Sequence, residues 1–188
     1  RGGRIGFASA TSLEDRKGLV DKAVAVSQFG ATARFEFPGR LSYPRIEVYD
    51  SAAEAVTMEK MVELGQEVIA RVREHSPELL CEAGVSKGVS TIHLVNSRGG
   101  GASYKQSYCG VGIEGTLVRG TDMLFVGDSE SSCHPIKDVG GLVERVRQQL
   151  EWAKREAPLA SGRMPVLFTP RGVAGALLAP LVVAFNGR

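Results

Sequence analysis

Apolar side chains recur at helical spacing in three stretches of the sequence. The first stretch follows Ser12, a hydroxyl residue suited to an N-cap, and ends at Gly30. The second follows Thr57, another N-cap residue, and ends before Pro77. The third covers Val139–Glu156. The pattern therefore predicts three helices, and residues 31–50, with prolines among aromatic side chains, are predicted to form a packed loop.

Between the second and third helices the side chains alternate as they do in strands. The alternating segments are Leu79–Ser86, Val89–Asn96, Ser103–Arg119 and Met123–Val126. The joints between them are Lys87-Gly88, Gly99-Gly100-Gly101 and Arg119-Gly120-Thr121-Asp122. Joints this short predict antiparallel hairpins, so the middle of the chain should form a β-meander.

One face of the predicted sheet is apolar. Within the segment Ser103–Arg119, Cys109, Val111, Ile113 and Leu117 all point to the same side. The amphipathic helices before and after the meander can cover that side. The sequence therefore predicts an α+β fold, in which two or three helices pack on one face of an antiparallel β-sheet.

The last part of the sequence predicts the opening of a second domain. After a loop-like break at residues 157–162, Arg163–Pro170 has the pattern of a strand and Gly172–Phe185 that of a buried helix. We therefore expect an N-terminal α+β domain over residues 1–160, and the first strand and helix of a truncated second domain over residues 161–188. The sequence also lacks an initiating Met, so we expect a piece of a longer chain.

Composition and charge narrow the class of partner. The net charge is +2, and Lys and Arg are interspersed with Asp and Glu instead of forming a basic stripe, so we expect no nucleic-acid binding. No apolar segment is long enough to cross a bilayer, so we expect no membrane partner. The three cysteines are too few and too scattered for a disulfide scaffold, which favours a reducing cytoplasm.

The chemistry-bearing residues do not form a recognisable catalytic or metal-binding motif. The sequence has no CxxC or HExxH pair, and the adjacent Cys133 and His134 point in different directions. His75 is expected to complement the dipole at a helix C-terminus. A Cys109–His93 nucleophile pair on neighbouring strands is an alternative, although burial would keep the thiol protonated and inert. We expect no catalytic and no metal-binding residue in this chain.

Two predicted turns are candidates for contact with another molecule. The first includes Arg98 and Gly99 in a glycine-rich hairpin loop. This loop lacks the Lys-Ser/Thr that follows a phosphate-binding loop and leads into a strand, so it is not expected to bind phosphate. The second includes Arg119 and Asp122, which can pair across a tight turn either for stability or for partner contact.

Several of these stretches together resemble one family, the TldD/PmbA proteins, once called modulators of DNA gyrase. The matching pieces are Gly3–Ser9, Val48-Tyr49-Asp50, Val89-Ser90-Thr91, Asn96-Ser97-Arg98-Gly99, Arg119-Gly120-Thr121-Asp122, Ser161–Val166 and Pro170-Arg171-Gly172-Val173. Their order and spacing over nearly the whole chain carry the resemblance.

The resemblance implies a cytoplasmic metalloprotease assembly, in which TldD-like and PmbA-like (TldE-like) subunits pair and process unfolded or modified peptides. In TldD-like members a Leu-Leu-His-Glu-x-x-x-His segment supplies two zinc ligands and a glutamate base. At the matching positions this chain has Ala179 and Ala184 for the histidines and Pro180 for the glutamate. The resemblance therefore favours the PmbA/TldE-like branch, with zinc expected only in a TldD-like partner and this chain inactive alone.

Two hypotheses follow for the function. In the first, the chain is the N-terminal portion of a non-catalytic PmbA/TldE-like subunit, and its partners are a TldD-like metalloprotease subunit and a peptide substrate. In the second, it is a non-proteolytic interaction module of the gyrase-modulator type, consistent with exposed loops at Gly99–Gly101 and Ser129–His134. If the apolar helix at the end of the chain is left bare, the fragment could also dimerise through it.

Overall fold

The computed structural model describes residues 2–12, 14–155, 157–158 and 160–185. The chain divides into two compact units, Arg1–Glu151 and Trp152–Arg188. The domain assignment at residue 160 stays a prediction. Glu156, where we expected the third helix to end, lies outside the described residues.

The meander forms a three-stranded antiparallel sheet in the first unit. Its strands are β1 (Leu80–Val95), β2 (Gly101–Arg119) and β3 (Asp122–Ser132), in the order β1-β2-β3. Both hairpin turns lie where the sequence placed them. Each contains a glycine in the left-handed region, Gly99 with φ +79° and Gly120 with φ +62°, which a residue with a Cβ adopts at a cost.

The expected turn at Lys87-Gly88 is wrong. β1 runs through both residues without interruption, and they pair with Cys109 and Tyr108 of β2. The side chain of Lys87 donates to the backbone carbonyls of Glu54 and Val56. The strand continues because the long β2 offers a partner for every residue of it.

The last strand also extends further than expected, so that Ser129–Ser132 belong to β3 instead of an exposed loop.

The predicted helices are α1 (Arg16–Val26), α3 (Met58–His75) and α4 (Gly140–Trp152). Thr57 caps α3 as expected, because its hydroxyl accepts from the amide of Lys60. The cap of α1 is Asp15 instead of Ser12: a carboxylate oxygen of Asp15 accepts from the amide of Gly18.

The N-terminal helix packs less than its sequence pattern indicates. No residue of α1 is buried. A 3-10 turn, Ser27–Phe29, follows it and ends at Gly30 as predicted. Residues 31–50 form no regular element apart from a bridge between Thr32 and Arg4. A short helix that the sequence analysis missed, α2 (Ser51–Ala55), follows this loop with Asp50 as its N-cap.

The hydrophobic core lies between one face of the sheet and the helices α3 and α4. The buried core side chains are Val68 and Val72 of α3, Leu79 just before β1, Val111 and Ile113 of β2, Val126 of β3, Val139 just before α4, and Leu142, Val143, Val146 and Leu150 of α4. Cys109 is buried on the same face of β2, and Leu117 packs against the core. The α+β fold with helices on one face of the sheet is therefore confirmed.

Polar side chains of α4 hold this helix against β3. The amide of Gln149 accepts from the backbone N–H of Gly127 at 3.1 Å and donates to its carbonyl at 3.0 Å. Arg145 lies 2.5 Å from a carboxylate oxygen of the buried Asp128 and 2.5 Å from one of Glu130. The hydrogen bonds to these carboxylates, that of Glu130 foremost, raise the pKa of Arg145. The outer edge of β3 is thus partly covered by side chains.

The second unit differs from its prediction. Residues 163–169 form no strand. The helical segment begins at Pro170 and runs through α5 (Pro170–Gly172), a π-helical stretch at Val173–Leu178 and α6 (Ala179–Phe185). None of these helical residues is buried, so the expectation of a buried helix is wrong for the structure described. No helix among the described residues is both long and apolar enough to cross a membrane.

We predict that Leu142→Ala destabilises the first unit strongly. Leu142 is fully buried in the core, so its truncation should lower the free energy of unfolding by about 2–5 kcal/mol, measured by urea titration with circular dichroism. Leu94→Ala is the matched control. Leu94 is 60% exposed, and its truncation should cost less than about 1 kcal/mol. Equal losses in the two variants would contradict the core described above.

Candidate functional site

The four residues predicted to contact another molecule form two separate places. Arg98 and Gly99 lie at one end of β2, and Arg119 and Asp122 lie at the other. β2 has 19 residues. At 3.3–3.4 Å per residue, the two turns are about 60 Å apart along the strand. The structure does not bring these residues together into one site.

The side chain of Asn96 organises the first turn. Its carbonyl oxygen accepts from the amides of Arg98 and Gly100, and its amide nitrogen donates to the carbonyl of Pro38. The guanidinium of Arg98 lies 2.6 Å from a carboxylate oxygen of Glu36. The turn is therefore attached to the loop 31–50, and a contact of Arg98 or Gly99 with another molecule stays a prediction.

At the second turn, Arg119 and Asp122 form the expected ion pair across Gly120, with 2.6 Å between guanidinium nitrogen and carboxylate oxygen. Their side chains are 35% and 59% exposed. An exposed pair of this kind contributes little to stability. Contact with a partner through this pair stays a prediction.

The histidines lie in three different parts of the first unit. Nε2 of His75, at the end of α3, lies 2.8 Å from a carboxylate oxygen of Glu151 on α4. His93 is exposed on β1 and pairs with Ser103 of β2. Cys109 pairs instead with Lys87, six residues away from His93 along the strand, or about 20 Å. The alternative of a Cys109–His93 nucleophile pair is therefore wrong.

The sequence analysis missed a polar cluster that joins α2, the middle of β2 and the loop after β3. Nδ1 of His134 lies 2.9 Å from a carboxylate oxygen of Asp50. The hydroxyl of Ser107 accepts from the backbone N–H of Asp50 and donates to the carbonyl of Cys133. The hydrogen bond from His134, followed by that from the amide of Ala52, lowers the pKa of the Asp50 carboxyl.

A second group of charges lies beside this cluster. Lys105 contacts the hydroxyl of Tyr49 at 2.9 Å and a carboxylate oxygen of Glu54 at 3.0 Å, and its ammonium lies 4.0 Å from the centre of the Tyr49 ring. The hydrogen bond from Lys105 and that from Tyr49 lower the pKa of Glu54. The contacts with Tyr49 and Glu54 raise the pKa of Lys105. These pairs span more than fifty positions of sequence, so no local spacing could have revealed them.

A cavity of about 420 Å³ opens between α3, β1 and the loop after β3. Its lining includes Lys60, Lys87, Cys109 and Ile136. Burial raises the pKa of the Cys109 thiol, while the nearby Lys87 opposes that shift. A raised pKa favours the protonated thiol, which is the less nucleophilic form. Among the described residues, no three His, Cys, Asp or Glu side chains converge in a way that could hold a metal ion.

The fold is similar to two solved structures. One is TldE from Thermococcus kodakarensis, with a TM-score of 0.64, 20% identity, and coverage of 81% of this chain and 36% of that one. The other is a candidate modulator of a DNA gyrase from Thermotoga maritima MSB8, with a TM-score of 0.64, 12% identity, and coverage of 79% and 35%.

The chain has a TldE/PmbA-like fold. It spans about a third of the length of each of these two proteins. No family model and no curated protein sequence matches it.

The positions where TldD-like members are expected to carry zinc ligands lie in the second unit. Ala179, Pro180 and Ala184 are all in α6, directly after the π-helical stretch. A proline ring clashes with the carbonyl four residues earlier in an α-helix, and the wider π-helical turns before Pro180 relieve that clash. Two methyl groups and a pyrrolidine ring offer neither a zinc ligand nor a base. In the structure all three residues are exposed.

We predict that His134→Gln raises the pKa of Asp50 toward its ordinary value of 3.8, because the variant loses the largest cause of the shift. Because the pKa is lowered in the folded protein, ionised Asp50 stabilises the fold at neutral pH and loses this effect as the pH falls below about 4. In His134→Gln, the free energy of unfolding should therefore fall less as the pH is lowered through this range. The measurement is an NMR titration of the Asp50 carboxyl carbon.

Lys137→Gln is the control for this titration. Lys137 is the smallest of the contributions that lower the pKa of Asp50, so its loss should move the titration less than His134→Gln does. A larger shift in Lys137→Gln, or none in either variant, would contradict the assignment of His134 as the main partner.

Proposed function

We propose that this chain is the N-terminal portion of a non-catalytic, PmbA/TldE-like subunit of a cytoplasmic zinc metalloprotease complex. The complex degrades or matures unfolded or modified peptides. The observation that carries the proposal is the combination of a TldE/PmbA-like fold with Ala179, Pro180 and Ala184 at the positions of a zinc-binding motif.

The chemistry of those positions supports a non-catalytic role. A catalytic zinc site needs three protein ligands and an open position for water, and hydrolysis needs a base to take a proton from that water. Alanine and proline side chains supply none of these groups. In this proposal the zinc, its ligands and the base belong to a TldD-like partner, and this subunit supports assembly and guides the peptide.

The structure of the first unit is compatible with a supporting role. The polar cluster of Asp50, Ser107 and His134 fixes a loop and a helix N-terminus, because its groups are hydrogen-bonded to each other. Cys109 is held as a buried thiol with a raised pKa. These features favour a scaffold over a second reaction centre.

We predict that the full-length protein, purified alone, binds less than stoichiometric zinc and cleaves no unfolded peptide. The measurements are elemental analysis for zinc and release of fluorescence from a quenched peptide. Mixing with a TldD-like subunit should yield a stable complex in which zinc and activity belong to the partner. Stoichiometric zinc together with turnover in the isolated protein would refute the proposal.

The second candidate is a non-proteolytic interaction module that acts on DNA gyrase. It is favoured by the similarity to the Thermotoga maritima protein, which is described as a candidate gyrase modulator. Affinity purification at native expression level separates the two functions. Recovery of a TldD-like subunit supports the first, whereas recovery of gyrase subunits without a TldD-like protein supports the second.

A further inference from the structure

We propose that the open face of the sheet, the side turned away from α3 and α4, binds an amphipathic helix of a partner protein. On the side that faces the sheet, that helix has Lys or Arg residues next to an apolar stripe. The inference goes beyond the proposed function and does not rest on it, because it depends only on the residues of β1, β2 and β3.

One end of the open face is an apolar patch. Leu80, Val118, Met123 and Phe125 are 67%, 53%, 57% and 70% exposed. They are neighbours in the sheet: Val118 pairs with Met123, and Thr116 pairs with both Leu80 and Phe125. Large apolar side chains that are exposed together mark a contact surface more often than isolated ones do.

The next row of the open face has two like charges directly opposite each other. Glu82 of β1 pairs with Glu114 of β2 in the register, and both are exposed. Two carboxylates at opposed positions destabilise a strand pair. Neither forms an ion pair with another described residue, and the strand residues on this face include no Lys, Arg or His. The row is complementary to a basic partner.

The row after the two carboxylates consists of small residues. Gly84 pairs with Gly112, and Gly112 pairs with Ser129 of β3. These residues, the two glutamates and Phe125 line a groove of about 900 Å³. Successive rows on one face of a sheet are about 6.7 Å apart. Because the Gly84 row has no bulky side chains, the space between its two neighbouring rows is wide enough for a helix, whose diameter with side chains is about 10–12 Å.

The charge also argues against the two other kinds of occupant. In a symmetric dimer through this face, Glu82 and Glu114 of one copy would face the same acidic row of the other copy, which adds to the repulsion. A nucleic acid would bring its phosphates against the same carboxylates. A basic amphipathic helix neutralises the row and covers the apolar patch in one contact.

The test uses the whole chain and a labelled helical peptide of about 18 residues, five turns, with an apolar stripe and Lys on the same side. The matched probe has Glu in place of each Lys. Fluorescence anisotropy should give a dissociation constant at least about tenfold lower for the Lys peptide, because the two probes differ only in the sign of the facing charges. Equal affinity for both peptides, or binding of neither, would overturn the proposal.

Charge reversal locates the contact. The double variant Glu82→Lys/Glu114→Lys should prefer the Glu peptide. The control, Glu74→Lys/Glu144→Lys, changes two exposed carboxylates on the helical side and should keep the preference of the wild type. A loss of preference in the control as large as in the first variant would show that only net charge matters, and the proposal would be wrong.

Gly84→Leu places a bulky side chain in the groove. A Cβ at Gly84 meets no atom within 4 Å, so the variant should keep the circular dichroism spectrum and Tm of the wild type while losing affinity for the Lys peptide. Unchanged binding in this variant would overturn the proposal. Sedimentation analysis covers the remaining case: a dimer of the wild type that Gly84→Leu abolishes would make a second copy the occupant and refute a partner helix.

Discussion

The structure of the first unit depends on burying one face of a three-stranded sheet under two helices. A sheet of this size is only marginally stable unless its apolar face is covered. Val111 and Ile113 of the central strand β2 belong to the same buried cluster as Val68 and Val72 of α3, and this cluster also includes side chains of α4. The helices α3 and α4 are separated in sequence by the whole meander, yet they contribute side chains to one core on the same face of its sheet.

This constraint also places the polar cluster. α2 and the loop after β3 lie beside the middle of β2, where Ser107 bonds to the backbone of Asp50 and of Cys133. The same strand therefore supplies core residues at one end and polar anchors further along. The pairing of Asp50 with His134 follows from that arrangement, since the two residues are 84 positions apart in sequence.

The features that sequence could predict are those with a local cause. Thr57 caps α3 because a hydroxyl at that position satisfies a free amide, and Gly99 and Gly120 allow turns that other residues resist. The α+β fold followed from the change of period between helices and strands. The cap of α1 was misplaced by three residues: the hydroxyl of Ser12 accepts from the amide of Glu14 ahead of the helix, whereas Asp15 accepts from Gly18 within it.

The features that sequence could not predict depend on distant partners. Lys87-Gly88 resembles a turn, yet β1 continues because β2 pairs with it and two carbonyls near the end of α2 bind the ammonium of Lys87. Residues 163–169 have the composition of a strand, but alternation alone does not supply a neighbouring strand. For the candidate site, the expectation that Ala179 and Ala184 stand at the positions of zinc ligands comes from the sequence and stays a prediction, whereas the cluster around Asp50 became visible only in the structure.

The bond between Gln149 and Gly127 has a dynamic consequence. The amide proton of Gly127 is on an outer strand, where it would ordinarily exchange rapidly with solvent deuterium. Here it is donated to a side chain of α4, so its exchange requires that this bond break, through rotation of the Gln149 side chain or movement of α4. The exchange rate of this one amide therefore reports how often the contact between α4 and β3 opens.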